Sequence, residues 1–306
     1  MSHRKVIVSF CLALLPLLAA AQDNSALPVL RYTQDPSRAA MAGAGLVSSS
    51  SAAWSAFENA AASLDSKMDF NVAASYTAWK ASDYSYYNAA GAWNLLPIVS
   101  LSVGLSYGSA SSYDIYSEEG RIIGQFAPNQ LLLNAGVGVR VLPELSLAVN
   151  VHRASETLAP KASYSAFSAD ALVLADWFGI KFAAGVMSLG SKVKSASGDM
   201  FNVPSSAKLA LGYENLAFGP LVCALYADAD YFFYSSGIGV SAGASFSWND
   251  FVVLRGGYHY GNSGCVLPSY ASLGAGVQFQ GLHLDLSCLL GGQLSGTLQL
   301  ALAYSF

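Results

Sequence analysis

Thr297 to Phe306 reads T-L-Q-L-A-L-A-Y-S-F. Leu298, Leu300, Leu302, Tyr304 and Phe306 fall on one side of this stretch, and Gln299, Ala301, Ala303 and Ser305 on the other. A period of two is the pleat of a β-strand, here with one greasy side and one small or polar side. Such a strand cannot lie alone in hydrocarbon, because each backbone N–H and C=O needs a partner. The stretch therefore predicts an all-β chain folded as a closed antiparallel transmembrane β-barrel. Its terminal aromatic residue is how bacterial outer-membrane barrels usually finish.

The opposite end of the chain agrees. His3, Arg4 and Lys5 form a basic start, Val6 to Leu18 an apolar run, and Ala19-Ala20-Ala21 a small-residue cleavage site before Gln22. This is the pattern of a signal peptide over residues 1–21, and the apolar run is too short for a comfortable membrane span. Cys11 lies within that run and has no lipidation motif before it; Cys223, Cys265 and Cys288 are an odd, scattered set that predicts neither a disulfide framework nor a metal site. The expected location is the Gram-negative outer membrane, reached after export.

Between these ends the chain is 53% hydrophobic and 11% charged, with 28 glycines, 17 tyrosines and 15 phenylalanines. After Leu18 no apolar run approaches the roughly 20 residues of a spanning helix. Apolar residues instead alternate with Gly, Ser and Ala, the signature of barrel strands. A net charge of −4 with no basic cluster argues against nucleic acid as a partner.

Alternation predicts fourteen strands over residues 67–306: Met68–Trp79, Tyr84–Leu95, Ile98–Gly108, Gln130–Val141, Glu144–Ala154, Phe167–Trp177, Gly179–Ser188, Ser206–Tyr213, Gly219–Ala229, Gly237–Trp248, Phe251–Tyr260, Tyr270–Gln280, Leu282–Leu290 and Thr297–Phe306. Connections after even-numbered strands are short, with a turn expected over Glu214–Phe218 after the eighth. Four of those after odd-numbered strands are longer: Ser109–Asn129, Ser155–Ala166, Leu189–Ser205 and Gly261–Ser269. That segregation suits periplasmic turns and extracellular loops.

The pleat also sorts the polar residues. A cation facing lipid at the midplane costs about 2–4 kcal/mol. Arg140, Lys181, Lys208 and Arg255 should therefore line the lumen with His152, His259 and His283, and pair there with Asp170, Asp176 and Asp285. Small lumen residues predict free space beside them. Strand glycines (Gly91, Gly136, Gly138, Gly185, Gly243, Gly256 and Gly257) would either kink the wall or admit tight packing against an inner segment. Residues 22–66 break the alternation. Ser48 to Leu64 is Ala-rich with helical propensity and is too short to span, so a short N-terminal helical plug is expected.

Several pieces resemble the FadL superfamily and, within it, the PorV/PorQ family, the PorV-like members most. Ser37 to Gly45 is similar to the family's "aRalgMGGAg" segment, and Phe57-Glu58-Asn59-Ala60-Ala61 to its aromatic-Asn-Pro-Ala turn, with Ala60 in place of Pro. Ala127 to Gln130, Leu145 to Val149, Ser168-Ala169-Asp170, Leu189 to Lys192 with Val203-Pro204, Leu254 to Tyr258 and Leu273 to Gly276 resemble further family segments in order. The resemblance implies a fourteen-stranded barrel with an N-terminal plug, where Met41, Gly43, Trp54 and Asn59 would lie. It also implies an auxiliary role in type IX secretion, a form of protein transport in which secreted cargo proteins or secretion-system subunits are partners at the extracellular mouth. Tyr113, Tyr116, Phe126, Met200 and Phe201 in the two longest loops would supply those contacts. The alternative from the wider superfamily is passive transport of a hydrophobic small molecule. An enzyme is not expected, since no Ser-His-acid set shares an exterior face, and neither is a cofactor. Outer-membrane lipid is the remaining partner.

Overall fold

The computed structural model describes residues 25–80, 82–117, 120–160, 162–194 and 198–306. The expected signal peptide lies outside these residues. Eighteen strands follow one another: β1 (Phe70–Trp79), β2 (Tyr84–Leu96), β3 (Val99–Ala110), β4 (Tyr113–Tyr116), β5 (Ile122–Phe126), β6 (Asn129–Leu142), β7 (Leu145–Ala159), β8 (Ala162–Trp177) and β9 (Ile180–Gly190), then β10 (Val193–Lys194), β11 (Met200–Phe201), β12 (Ser206–Phe218), β13 (Leu221–Phe232), β14 (Ile238–Trp248), β15 (Val252–Gly261), β16 (Tyr270–Phe279), β17 (Leu282–Leu290) and β18 (Thr297–Ser305). Fourteen of them form one closed antiparallel barrel, while β4–β5 and β10–β11 are small hairpins within the loops.

The seam joins the two strands furthest apart in the chain. β1 pairs with β18 from Asn71↔Ser305 to Ala78↔Leu298, and Phe306 N–H donates to Phe70 O at 2.8 Å. Every barrel strand thus has two neighbours and the wall has no open edge, as hydrocarbon requires. The outward face is apolar: Leu298, Leu300 and Leu302 are exposed, while Thr297, Gln299 and Ala301 between them are buried.

Three expectations change in detail. β7 and β8 pair as far as Ala159↔Ala162, so the expected loop Ser155–Ala166 is a hairpin that continues the wall outward. β12 runs through Glu214 to Phe218 across an irregularity between Tyr213 and Leu216, which moves the expected turn to Gly219-Pro220. The N-terminal segment is helical as expected but in short pieces, not one run: 3-10 helices at Pro28–Arg31, Ser49–Trp54 and Ala60–Asp65, and single α-turns at Pro36–Ala39 and Ser55–Glu58. Asn59, extended at φ −149° and ψ 91°, breaks the last two apart, and its side chain accepts from Ala61 N–H at 3.2 Å.

This segment lies inside the barrel. Phe57 packs on Gly104 of β3, Ala60 on Gly138 of β6, Val47 on Gly212 of β12, Met41 on Gly243 of β14 and Gly257 of β15, and Ala40 on Gly274 of β16. These strands surround the axis, so one segment touching all of them fills the interior. Such contacts leave no room for a side chain: a Cβ on Gly138 would come within 2.6 Å of Ala60 O, and one on Gly243 within 2.5 Å of Met41 Cβ. Strand glycines facing inward therefore serve close packing. Gly91 meets only wall atoms from β1, and Gly185 meets the β8 backbone. The space expected beside the small lumen residues is taken up by this segment.

Candidate functional site

An irregular segment inside a barrel leaves backbone carbonyls without helix or sheet partners, and each must be satisfied. The wall supplies the donors. Ser75 Oγ donates to Gln34 O, Ser272 Oγ to Ala40 O at 2.8 Å, Ser100 Oγ to Ala60 O at 2.9 Å, Asn150 Nδ2 to Ser55 O at 3.1 Å and Gln299 Nε2 to Thr33 O at 3.2 Å. The Ser, Asn and Gln of the inward face are thus matched to this segment.

Charge then fixes it at two levels. Near the loop end, Arg31 pairs with Asp230, and Arg38 with Glu58 and, at 3.5 Å, with Asp228. Lys208 Nζ lies 3.1 Å from Asp230 and 3.8 Å from Asp228. Asp228 also accepts from Gly45 N–H at 3.1 Å and Leu46 N–H at 3.2 Å. Arg31, Arg38 and Glu58 come from the segment, and Lys208, Asp228 and Asp230 from β12 and β13. Burial works against the Glu58 carboxylate, but Arg38 and Lys208 together outweigh it and hold its pKa below the ordinary carboxylate value. Near the turn end, Asp65 of the segment meets Arg140 at 2.6 Å and Lys181 at 3.0 Å, and Lys181 meets Glu214 at 2.9 Å.

Each of the four cations expected in the lumen meets an acid, and one of these acids, Asp285, is among those expected from the sequence. Arg255 pairs with Asp285, while Arg140, Lys181 and Lys208 take the acids just named. Asp170 faces His152, whose ring sits 2.6 Å from Asn134 Oδ1 and 2.8 Å from Asp170 Oδ2. Asp170 also accepts from Ser188 N–H at 2.6 Å, at an irregularity in the β8–β9 pairing. The Asp176 carboxylate accepts from Gly179 N–H at the neighbouring turn. His283 is half-buried beside the Arg255–Asp285 pair. Among the described residues no group of three His, Cys, Asp or Glu could hold a metal.

The four expected inner residues have distinct places. Met41 and Trp54 are buried, Gly43 takes φ +81° and accepts from Arg38 Nη2 at 2.6 Å, and Asn59 Nδ2 donates to Leu46 O at 3.0 Å. In the loops, Tyr113 donates to Leu158 O at 2.9 Å and packs against Phe126, so the β4–β5 hairpin leans on β7. Tyr116, Met200 and Phe201 are exposed, while Val193 and Val203 of the second long loop turn inward against Leu27 and Val29. Ala26 N–H donates to Asn202 O at 2.9 Å there.

Where the segment, the β15–β16 loop and the wall meet there is a cavity of about 50 Å³, lined among others by Leu30, Arg31, Lys208, Asp230, His259 and Tyr270. Sequence reasoning did not single out Arg31, Arg38, Glu58, Asp65, Asp228 or Asp230. Asp228 and Asp230 carried a signal: at i and i+2 of a strand they share one face, and that face cannot be the lipid side.

No protein-family profile and no curated protein matches this chain. Solved structures with the same fold do exist. A FadL homologue from Pseudomonas aeruginosa superimposes with a TM-score of 0.54 at 12% identity, covering 90% of this chain and 99% of its own. The Pseudomonas putida toluene transporter TodX gives 0.56 at 12%, covering 90% and 98%. The monoaromatic hydrocarbon channel CymD gives 0.57 at 10%, covering 89% and 97%. The chain thus has the fold of FadL-like outer-membrane barrels along almost its whole length.

Proposed function

We propose that this barrel is an outer-membrane channel for hydrophobic small molecules and that the conformation described is its closed state. The lumen carries the proposal. It is stoppered by a segment held by hydrogen bonds and ion pairs, and the cavity of about 50 Å³ at its loop end is about a third of the 150 Å³ in which an engineered protein cavity binds benzene. It is also lined by charge. An apolar solute therefore cannot rest there until the residues that roof it move, namely Leu30 to Thr33 and the loop bearing Cys265 to Leu267. Three solved structures with this fold, a FadL homologue, a toluene transporter and a monoaromatic hydrocarbon channel, support this reading over the secretion reading, which rests on sequence resemblance alone.

The stretch of chain leading into the roof supplies the test. Ala26 N–H and Asn202 O are 2.9 Å apart across the mouth, so Ala26→Cys with Asn202→Cys can be joined by a disulfide. Cells carrying the oxidised pair should take up radiolabelled toluene more slowly than cells carrying the reduced pair, with reductant restoring the rate. Equal uptake in oxidised, reduced and barrel-free cells would overturn the proposal. Arrested surface delivery of secreted proteins, with toluene uptake unchanged, would favour the secretion role.

A further inference from the structure

Among the described residues, Arg153 is the one charged side chain on the outward face of a barrel strand. Its neighbours along that face of β7 are Leu147, Val149 and Val151 toward the turn end, and Ser155 and Thr157 toward the loop end. The outward face therefore changes from apolar to hydroxyl-bearing at Arg153. At the usual strand rise and tilt, Arg153 stands roughly 20 Å above the turn end. The apolar band of such barrels is about 25 Å tall, so this is the upper border of the hydrocarbon.

The guanidinium is held in place and left open. It lies over the ring of Phe167, its cross-strand partner on β8, at 5.5 Å from the centroid. Its carbon stem runs along apolar surface while the head reaches the interface. Phe167 is 65% exposed, and its backbone is bracketed by Ser191, which donates N–H to Phe167 O at 2.9 Å. The next residue, Lys192, is also exposed. Among the described residues no acid is paired with Arg153, in contrast to the cations of the inward face.

Below Phe167 the outward face of β8 is small: Ala169, Ala171, Val173 and Ala175. Val173 and Ala175 open into a groove of about 580 Å³ that continues across Ala184, Leu209 and Ala227. A cation at the border, over an apolar furrow descending from it, matches one molecule with an anionic head and a hydrocarbon tail.

From this arrangement we infer that Arg153, Phe167 and the β8 furrow bind a phosphorylated lipid of the outer leaflet, its phosphate on the Arg153 guanidinium and an acyl chain in the furrow. Arginine offers the forked donors that phosphate accepts best. The inference rests on the outer-membrane placement of the barrel and not on what passes through it.

Delipidated, folded barrel in detergent, titrated with bis-phosphorylated lipid A and followed by native mass spectrometry, tests it. One lipid A should bind per barrel. Loss of a charged hydrogen bond should make Arg153→Glu about tenfold weaker, with Arg153→Lys intermediate. Ala171→Phe, which fills the furrow without changing charge, should also weaken binding. Dephosphorylated lipid A should bind worse, and millimolar inorganic phosphate should not displace the lipid. Unchanged affinity in both Arg153→Glu and Ala171→Phe would overturn the inference, as would displacement by inorganic phosphate alone. Heat-modifiable migration on gels confirms that each variant is folded. Toluene uptake should be unchanged in Arg153→Glu, so failure here and failure of the channel reading are told apart.

Discussion

The segment inside the barrel is joined to the wall by two sets of charges that differ in burial. In the upper set, Arg38 and Asp228 have side chains 6% and 1% exposed. In the lower set, Arg140 and Asp65 are 26% and 25% exposed. The upper set matches three cations, Arg31, Arg38 and Lys208, with three acids, Glu58, Asp228 and Asp230, in a place where an unmatched charge is costly. The lower set opens to water at the turn end, where screening weakens each pair. Burial thus makes the upper set an anchor and exposure makes the lower one a latch.

That contrast breaks most visibly at Arg38. Arg38→Ala leaves Glu58 and Asp228 buried without their guanidinium, a loss of about 3–5 kcal/mol in how firmly the segment is held. Hydrogen exchange should show residues 36–48 losing protection while the barrel strands keep theirs; undiminished protection would mean that packing alone holds the segment. Acid offers a smaller and graded loss. Because the folded-state pKa of Glu58 lies below the ordinary carboxylate value of 4.5, its stabilisation is complete above that value and is lost as pH falls through the folded pKa. Exchange protection of the segment should therefore hold from pH 7 to 5 and decline below pH 4.5, and Glu58→Gln should flatten that decline. The least effect belongs to the latch: Asp65→Asn should cost about 1 kcal/mol or less, frees residues 60–66 only, and should become indistinguishable from wild type in 1 M salt.

The wall was legible in the sequence because lipid imposes a strict rule on every second residue. Leu298, Leu300 and Leu302 could be placed outside from ten residues alone. The same rule explains where reading stopped short. Beyond Arg153 the outward residues of β7 are Ser155 and Thr157, so both faces are polar, the alternation disappears, and the upper hairpin looks like a loop. The inward face obeys a weaker rule. Alternation says that Lys208 points inside but not that it meets Asp228 and Asp230, and still less that Arg38, 190 residues from Asp228, joins them. Helical propensity in Ser48–Leu64 is expressed, but in short pieces, because the segment follows the wall's donors and breaks at Asn59 to reach them.

The seam between β1 and β18 has a consequence for how the molecule can be made. Its partners lie at opposite ends of the barrel sequence, so this pairing carries the largest loop-closure entropy in the wall. The segment precedes β1, begins at the loop end beside Asn202, and ends at the turn end beside Arg140. A wall that curls around this segment has a mandrel to wind on, whereas a barrel assembled without it would have to close over an empty, charge-lined bore.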